Sequence, residues 1–391
     1  MKIAILTSGI LPVPAVQGGA VENLIDFYLA YNEQHMLHDI TVFSVAHPKT
    51  RNHPALLSHV NHYYYIDTKS NIAIIRRSLY RVFHKNEYYN YFIEYYFEQA
   101  YKQLKKQAYD CIILENRPGY AYKLSKRISS KLVLHLHNDL LSKESKLHDE
   151  ILASLNRVLT VSDYIKSRVH TIETTDKVVT IHNGIDLHRF TTLEQSNITR
   201  NSLGLSQNDF VLIYSGRINK DKGVSELIDA MLKLKDMPNI KLLILGSTFF
   251  GDSDNDDSFV KAIKSKAAEI AGKIVFTGFI PYSQMPNYLS LADIAIIPSI
   301  WNDPFPTTVL EAQAMGLPII TTRQGGIPEE VSKDNAILLN IDNHFIDNLA
   351  SSIIYLYQNP EKCKQMATAS IERSKMFDKE TYANIFFAAL E

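Results

Sequence analysis

Residues 301–320 read WNDPFPTTVLEAQAMGLPII and set Asp303 and Glu311 eight positions apart. Pro304 and Pro306 lie between them, fix φ and lack backbone donors, so the chain there is an extended loop. The LEAQAM run that follows is rich in helix formers and starts a helix near Thr307 or Thr308. Asp303 thus belongs to a loop and Glu311 to the first turns of a helix, and the two cannot share one solvated helical face. A carboxylate near a helix start can accept two adjacent hydroxyls, which a ribose or a hexose offers. A second group of chemical residues lies in SGRINKDKGV, residues 215–224, where Arg217 and Lys222 sit in a strand–turn–helix junction beside Gly216 and Gly223. Two cations and free amides at a helix N-terminus favour a di-anion such as a pyrophosphate, although a solvated basic turn has the same composition. Further on, RQGGIPEEV (323–331) puts glycines just past a strand, where a ligand can approach the backbone closely.

The elements that must hold these residues are short and regular. Runs at 2–8, 39–45, 110–115, 131–137, 157–162 and 177–184 are rich in β-branched and aliphatic residues and predict strands, with helical segments such as 20–34 and 89–107 between them. The pattern restarts at 210–216, 240–247, 273–279, 292–299, 317–322 and 336–340, with helices over 224–236 and 308–316. Strands alternating with helices predict parallel sheets covered on both faces. From about 187 to 207 the apolar period fades into Ser, Thr and Asn. This predicts a first domain over 1–190, a second over 191–375, and a C-terminal helix over 376–391 that returns to the first. Ligands of open α/β sheets bind outside the C-terminal strand ends, so two such domains facing each other would enclose a cleft.

Bulk composition narrows the function classes. The chain has 391 residues, enough for two cores, with 46% apolar and 21% charged residues. Its two cysteines, Cys111 and Cys363, have no metal-ligand spacing, which suits a reducing cytoplasm and argues against a disulfide scaffold. The first apolar run is broken by prolines and reads as a buried strand rather than a signal peptide, and no run approaches the roughly 18 apolar residues of a membrane span. Residues 1–190 carry 23 Lys+Arg against 18 Asp+Glu, or +5, while the remainder carries 18 against 24, or −6. The first half therefore suits an anionic partner, but without the dense basic patch of a nucleic-acid binder. The run GDSDNDDSF (251–259) has Asp257 and Ile263 where a calcium loop needs Gly and Glu, and reads as a solvated loop. His135 and His137 share one face of a strand end, with no acid or cysteine spaced in the sequence to complete a metal set. Residues 72–92 mix Arg76, Arg77, Arg81 and Lys85 with Ile, Leu, Tyr and Phe, which suits either an anionic membrane surface or an ordinary packed amphipathic helix.

Taken together, these segments resemble the retaining glycosyltransferases of the GT-B fold, in the large family 4 (glycosyl transferases group 1). Asp303 through Glu311 match that family's Glu-x7-Glu motif, with Asp for the first Glu and Pro306 where Gly is usual. The likeness extends to Gly18-Gly19, His137-Asn138-Asp139, Asn183-Gly184-Ile185-Asp186 and the 325–329 Gly-Gly-Ile-Pro-Glu run. It implies two Rossmann-like doubly wound domains facing each other across a cleft, and a nucleotide-diphosphate sugar as donor, UDP before GDP, with no metal cofactor. It also implies roles residue by residue. Arg217 and Lys222 would neutralise the diphosphate, Glu311 would accept the ribose hydroxyls, and Asp303 would hold hydroxyls of the donor sugar. Gly18 and Gly19 would let the first loop pack on the diphosphate, and His137 would contact the sugar near the reacting carbon. Phe279 and Ile280 would flank the base, and Phe305, Thr307 and Thr308 would line the donor. The implied acceptor is a growing surface glycan, free or lipid-linked, reached from the cytoplasm or the inner membrane face. Three competing readings share the layout: a sugar-nucleotide epimerase, a phosphorylase and a non-catalytic sugar-nucleotide binder. A dinucleotide oxidoreductase is disfavoured because SGILPVPAVQGG contains no Gly-x-Gly-x-x-Gly opening a helix.

Overall fold

The computed structural model describes residues 1–83, 88–191, 198–247 and 258–391. Most of the acidic run 251–259 lies outside the described residues, as do 84–87 within the 72–92 segment. The chain forms two compact units, Met1–Asn183 with Glu380–Glu391, and Gly184–Lys379.

The first unit holds a seven-stranded parallel sheet made of β1 (Lys2–Leu6), β2 (Asp39–Val45), β3 (Asn61–Ile66), β4 (Cys111–Glu115), β5 (Lys131–Leu136), β6 (Arg157–Thr160) and β7 (Val178–Thr180). Their spatial order is β3-β2-β1-β4-β5-β6-β7. Ile3, Ile5, Val42, Ile113, Val133 and Leu159 project from these strands into one buried cluster with Leu24, Ile25 and Tyr28 of the helix Ala20–His35. Their β-branched and aliphatic side chains suit strands buried on both faces. The edge strand β3, NHYYYI, escaped the sequence reading because it is not an apolar run: Tyr64 is exposed while Asn61 and Ile66 are buried.

The second unit holds a six-stranded parallel sheet. Its strands are β8 (Phe210–Ser215), β9 (Ile240–Leu245), β10 (Ile274–Gly278), β11 (Ile294–Ile297), β12 (Ile319–Thr322) and β13 (Ala336–Leu339), in the order β10-β9-β8-β11-β12-β13. Helices Val224–Lys233 and Phe345–Gln358 bury Leu227, Ile228, Met231, Leu349 and Ile353 against it.

The units divide after Asn183 rather than at 190, and the reason lies in the backbone. Ile185 N–H donates to the Phe377 carbonyl at 2.7 Å, Lys379 N–H donates to the Ile185 carbonyl at 2.9 Å, and the Asp186 carboxylate pairs with Lys379 at 3.0 Å. Ile185 and Asp186, just past the division, are thus bonded into the second unit. The closing helix Lys379–Ala388 buries Tyr382, Phe386 and Phe387 in the first unit, with the Phe386 ring stacked on Tyr28 at 4.2 Å between centroids. No helix among the described residues is long and apolar enough to cross a membrane.

Candidate functional site

In the second unit three loops at C-terminal strand ends are locked together. After β8 the chain turns through Gly216, and Lys220–Lys222 form a single tight turn before Gly223 opens the helix Val224–Lys233. Gly223 has φ 69°, and a Cβ there would stand 1.9 Å from the Pro298 carbonyl oxygen, so only glycine fits. The loop after β11 is bound to this turn, because Ile300 and Trp301 N–H both donate to the Asp221 carbonyl at 3.0 and 3.2 Å. It is bound on its other side to the loop after β12, where Gly326 N–H donates to the Asp303 carbonyl at 2.8 Å. Gly325 has φ 59°, and its missing Cβ makes room for that same carbonyl.

These contacts bring two predicted site residues into direct contact. Lys222 Nζ pairs with Asp303 Oδ2 and lies 5.6 Å from the centre of the Trp301 ring. Asp303 is buried, whereas Lys222 is half-buried and Arg217 is exposed. The aspartate, one methylene shorter than the usual glutamate, is therefore held by the very lysine expected to meet a diphosphate. Pro306 immediately precedes the helix Thr307–Ala314, so its lack of an N–H falls where no intrahelical bond is due. Glu311, in the second turn, is buried, and burial pushes its carboxyl up to about 8 against an opposing hydrogen bond from Thr307.

The remaining predicted residues of the second unit are buried or half-buried. Phe305 is buried, with its ring edge-on to Phe377 at 5.7 Å, so the ring anchors the loop rather than lining an open surface. Thr307 supports Glu311, while Thr308, Phe279 and Ile280 are half-buried. The sequence reading missed Glu330. It stopped at Glu329, but it is Glu330 that is fully buried, with neither carboxylate oxygen hydrogen-bonded among the described residues. Burial, reinforced by the Asp303 charge, holds its carboxyl well above the ordinary range.

In the first unit Gly18 and Gly19 have φ 75° and 108° and enter the helix Ala20–His35. A Cβ on Gly19 would strike Glu22 Oε2 at 2.2 Å, so the buried Glu22 carboxyl lies directly against this loop. Burial pushes Glu22 up to about 7, helped by the nearby Glu115 and Asp26 carboxylates. The histidine pair also departs from expectation. The sequence offered no acid to complete it, yet Glu115 at the end of β4 does so from the neighbouring strand, in register with His135. Glu115 accepts hydrogen bonds from Tyr28 Oη at 2.9 Å, His135 Nδ1 at 3.3 Å and His137 Nε2 at 2.8 Å. The legible clue was an acid closing the apolar strand CIILE, where a solvated residue has no place.

Two parallel-sheet α/β units, with a cation–carboxylate pair and glycine turns at the C-terminal strand ends of the second, define a two-domain, doubly wound α/β protein. The comparisons narrow the class. The family signature Glycosyltransferase Family 4 matches residues 25–189, and Glycosyl transferases group 1 matches residues 195–373. YtcC of Bacillus subtilis (strain 168), named as a glycosyltransferase, is 30% identical over 358 residues, 88% of this chain and 80% of that protein. Spore coat protein SA of the same organism is 28% identical over 88% of this chain and 87% of its own length. Among solved structures, Anabaena HepE in complex with UDP and glucose superposes with a TM-score of 0.75 at 22% identity, covering 100% of this chain and 99% of that one. The chain belongs to the group 1 glycosyltransferases of the GT-B fold, which act with sugar-nucleotide donors.

Proposed function

We propose that this protein is a retaining, metal-independent glycosyltransferase that moves a hexose or N-acetylhexosamine from a UDP-sugar to a surface-glycan acceptor on the cytoplasmic side of a membrane. The observation that carries this reading is the buried Asp303 held by Lys222, set between two glycine-tight loops of the second unit. Lys222 and Arg217 take the diphosphate, Asp303 binds sugar hydroxyls, and Glu311 accepts the ribose hydroxyls. In the transfer step the bond from the anomeric carbon to the diphosphate oxygen breaks, and a bond to the acceptor oxygen forms on the same face. The acceptor proton passes to the departing phosphate. The fixed cations stabilise charge that exists only as the bond breaks, so they lower the barrier rather than merely tighten binding. UDP is favoured by the HepE complex, and a surface glycan by the relative named for a spore coat.

The test is a melting-temperature screen against UDP-, GDP-, ADP- and TDP-sugars, because a ligand that binds only the native state raises the transition. A UDP-sugar is expected to give the largest rise, and turnover with it is expected to survive excess EDTA. A rise with GDP-sugars alone overturns the donor assignment, and EDTA loss restored by Mg²⁺ or Mn²⁺ overturns the metal-free step.

The membrane side of the proposal rests on the helix Asn71–Phe83. Ile72, Ile75, Leu79 and Val82 are 64%, 61%, 53% and 76% exposed and recur at helical spacing, forming one stripe in solvent. Exposed Arg76 flanks the stripe, and Arg81 lies 5.3 Å from the Tyr91 ring. Apolar side chains beside arginines suit an anionic bilayer surface. The wild-type protein is expected to sediment with phosphatidylglycerol vesicles and not with phosphatidylcholine alone. Leu79→Glu is expected to remain in the supernatant, and equal sedimentation of both proteins would remove this surface from the proposal.

A further inference from the structure

The network in the first unit joins His137, which the resemblance assigns to the donor sugar, to Glu115, Tyr28 and His135, for which no role is given above. Glu115 is fully buried and accepts from three donors: Tyr28 of a helix, His135 within β5, and His137 just beyond the end of β5. The His137 backbone is fixed as well, with its N–H donating to Asn116 Oδ1 at 3.2 Å. A carboxylate only accepts, so the 2.8 Å bond requires the proton on His137 Nε2. Burial and the neighbouring His135 push His137 down to about 4, against the pull of Glu115, so the ring is neutral and carries that single proton. Its Nδ1 is then a bare acceptor, buried and without a hydrogen-bond partner among the described residues.

We infer that Glu115 is a positioning residue that acts through His137, locking the ring in the tautomer whose Nδ1 accepts a hydrogen bond from a sugar hydroxyl. This rests on the proposed role of His137 as a sugar contact. Amide replacement at 115 keeps its one oxygen where Tyr28 and His135 share Oε1, and presents its NH₂ to His137 in place of Oε2. That reverses the demand on His137 and moves its proton to Nδ1, where it would oppose the hydroxyl. The trio also has the donor set of a zinc site, with ligand atoms within 4.8 Å of one another. However, two ligands bound tetrahedrally to one zinc stand about 3.3 Å apart, whereas the Glu115–His137 contact is a hydrogen bond at 2.8 Å.

Nitrogen-15 NMR of histidine-labelled wild-type protein is expected to show His137 protonated at Nε2 and bare at Nδ1, and Glu115→Gln is expected to invert this. In UDP release from UDP-glucose, Glu115→Gln and His137→Ala are each expected to lower kcat/KM roughly 10- to 100-fold. The double variant is expected to fall no further than His137→Ala alone, as residues acting in series do. Wild-type turnover in His137→Ala defeats the sugar-contact role itself. An impaired His137→Ala beside an unaffected Glu115→Gln, or a multiplicative double variant, defeats the positioning role while leaving His137 in place. If Glu115→Gln does not fold, the wild-type spectrum decides, since a proton on Nδ1 sinks the inference. So does one equivalent of zinc in the purified protein.

Discussion

Replacing Lys222 with alanine is expected to lower transfer by roughly 10²–10³-fold while leaving the fold in place. Two losses act together. The leaving diphosphate loses a fixed cation at the moment its charge develops, and Asp303 is left as a buried carboxylate without its partner. Breaking a fully buried pair by removing one member costs about 3–5 kcal/mol. Lys222 is half-exposed to solvent, so the stability cost here falls below that range. The two effects separate in a second variant. Lys222→Ala with Asp303→Ala removes the orphaned charge and is expected to recover melting temperature without recovering turnover. Steady-state kinetics beside thermal melts provide the measurement. Wild-type kcat in Lys222→Ala would sink the reading of this turn as a diphosphate site.

Donor affinity is expected to rise with pH up to about 8, because Glu311 must be ionised to accept two ribose hydroxyls. Burial holds its carboxyl at about 8 in the ligand-free protein. Each unit below that value costs about 1.36 kcal/mol of deprotonation, so at pH 6 the penalty is about 2.7 kcal/mol, roughly 100-fold in Kd. The sign for folding is the reverse. A carboxyl whose folded pKa is raised binds its proton more tightly in the folded state, so its contribution to stability is complete below the ordinary pKa of 4.5 and is lost as pH climbs to about 8. Over that window the free protein is expected to soften while its grip on the donor strengthens. Both phosphates of a nucleotide-diphosphate sugar are already ionised there and do not blur the trend. Glu311→Gln is expected to flatten both slopes, giving a firmer protein at high pH that binds donor poorly. Titration calorimetry with melts at matched pH checks this, and a pH-independent Kd in the wild type would exclude Glu311 from the ribose contact.

Much of the architecture could be read from periodicity, because strands buried on both faces advertise themselves as apolar runs such as IKLLIL and CIILE. The edge strand NHYYYI could not, since one face meets solvent and its tyrosines carry no clear alternation of polarity. Asp303 and Glu311 were legible because prolines and helix formers separate a loop from a helix without ambiguity. Their bonding was not. That Asp303 is paired with Lys222, 81 positions earlier, depends on which loops the order β8-β11-β12 places side by side. Glu115 and Glu330 were passed over for a related reason: an isolated acid in a chain carries no mark of its burial until neighbouring strands close around it.

The three loops of the second unit are knit by main-chain atoms, and this limits how the protein can be re-engineered. Asp221 accepts from residues 300 and 301, Ser299 accepts from the Thr322 hydroxyl, and the Asp303 carbonyl occupies the space beside Gly325. Grafting one of these segments from a homologue would strand peptide groups on its two neighbours. Chimeras meant to change sugar preference should therefore exchange 215–223, 298–306 and 322–326 as a single cassette.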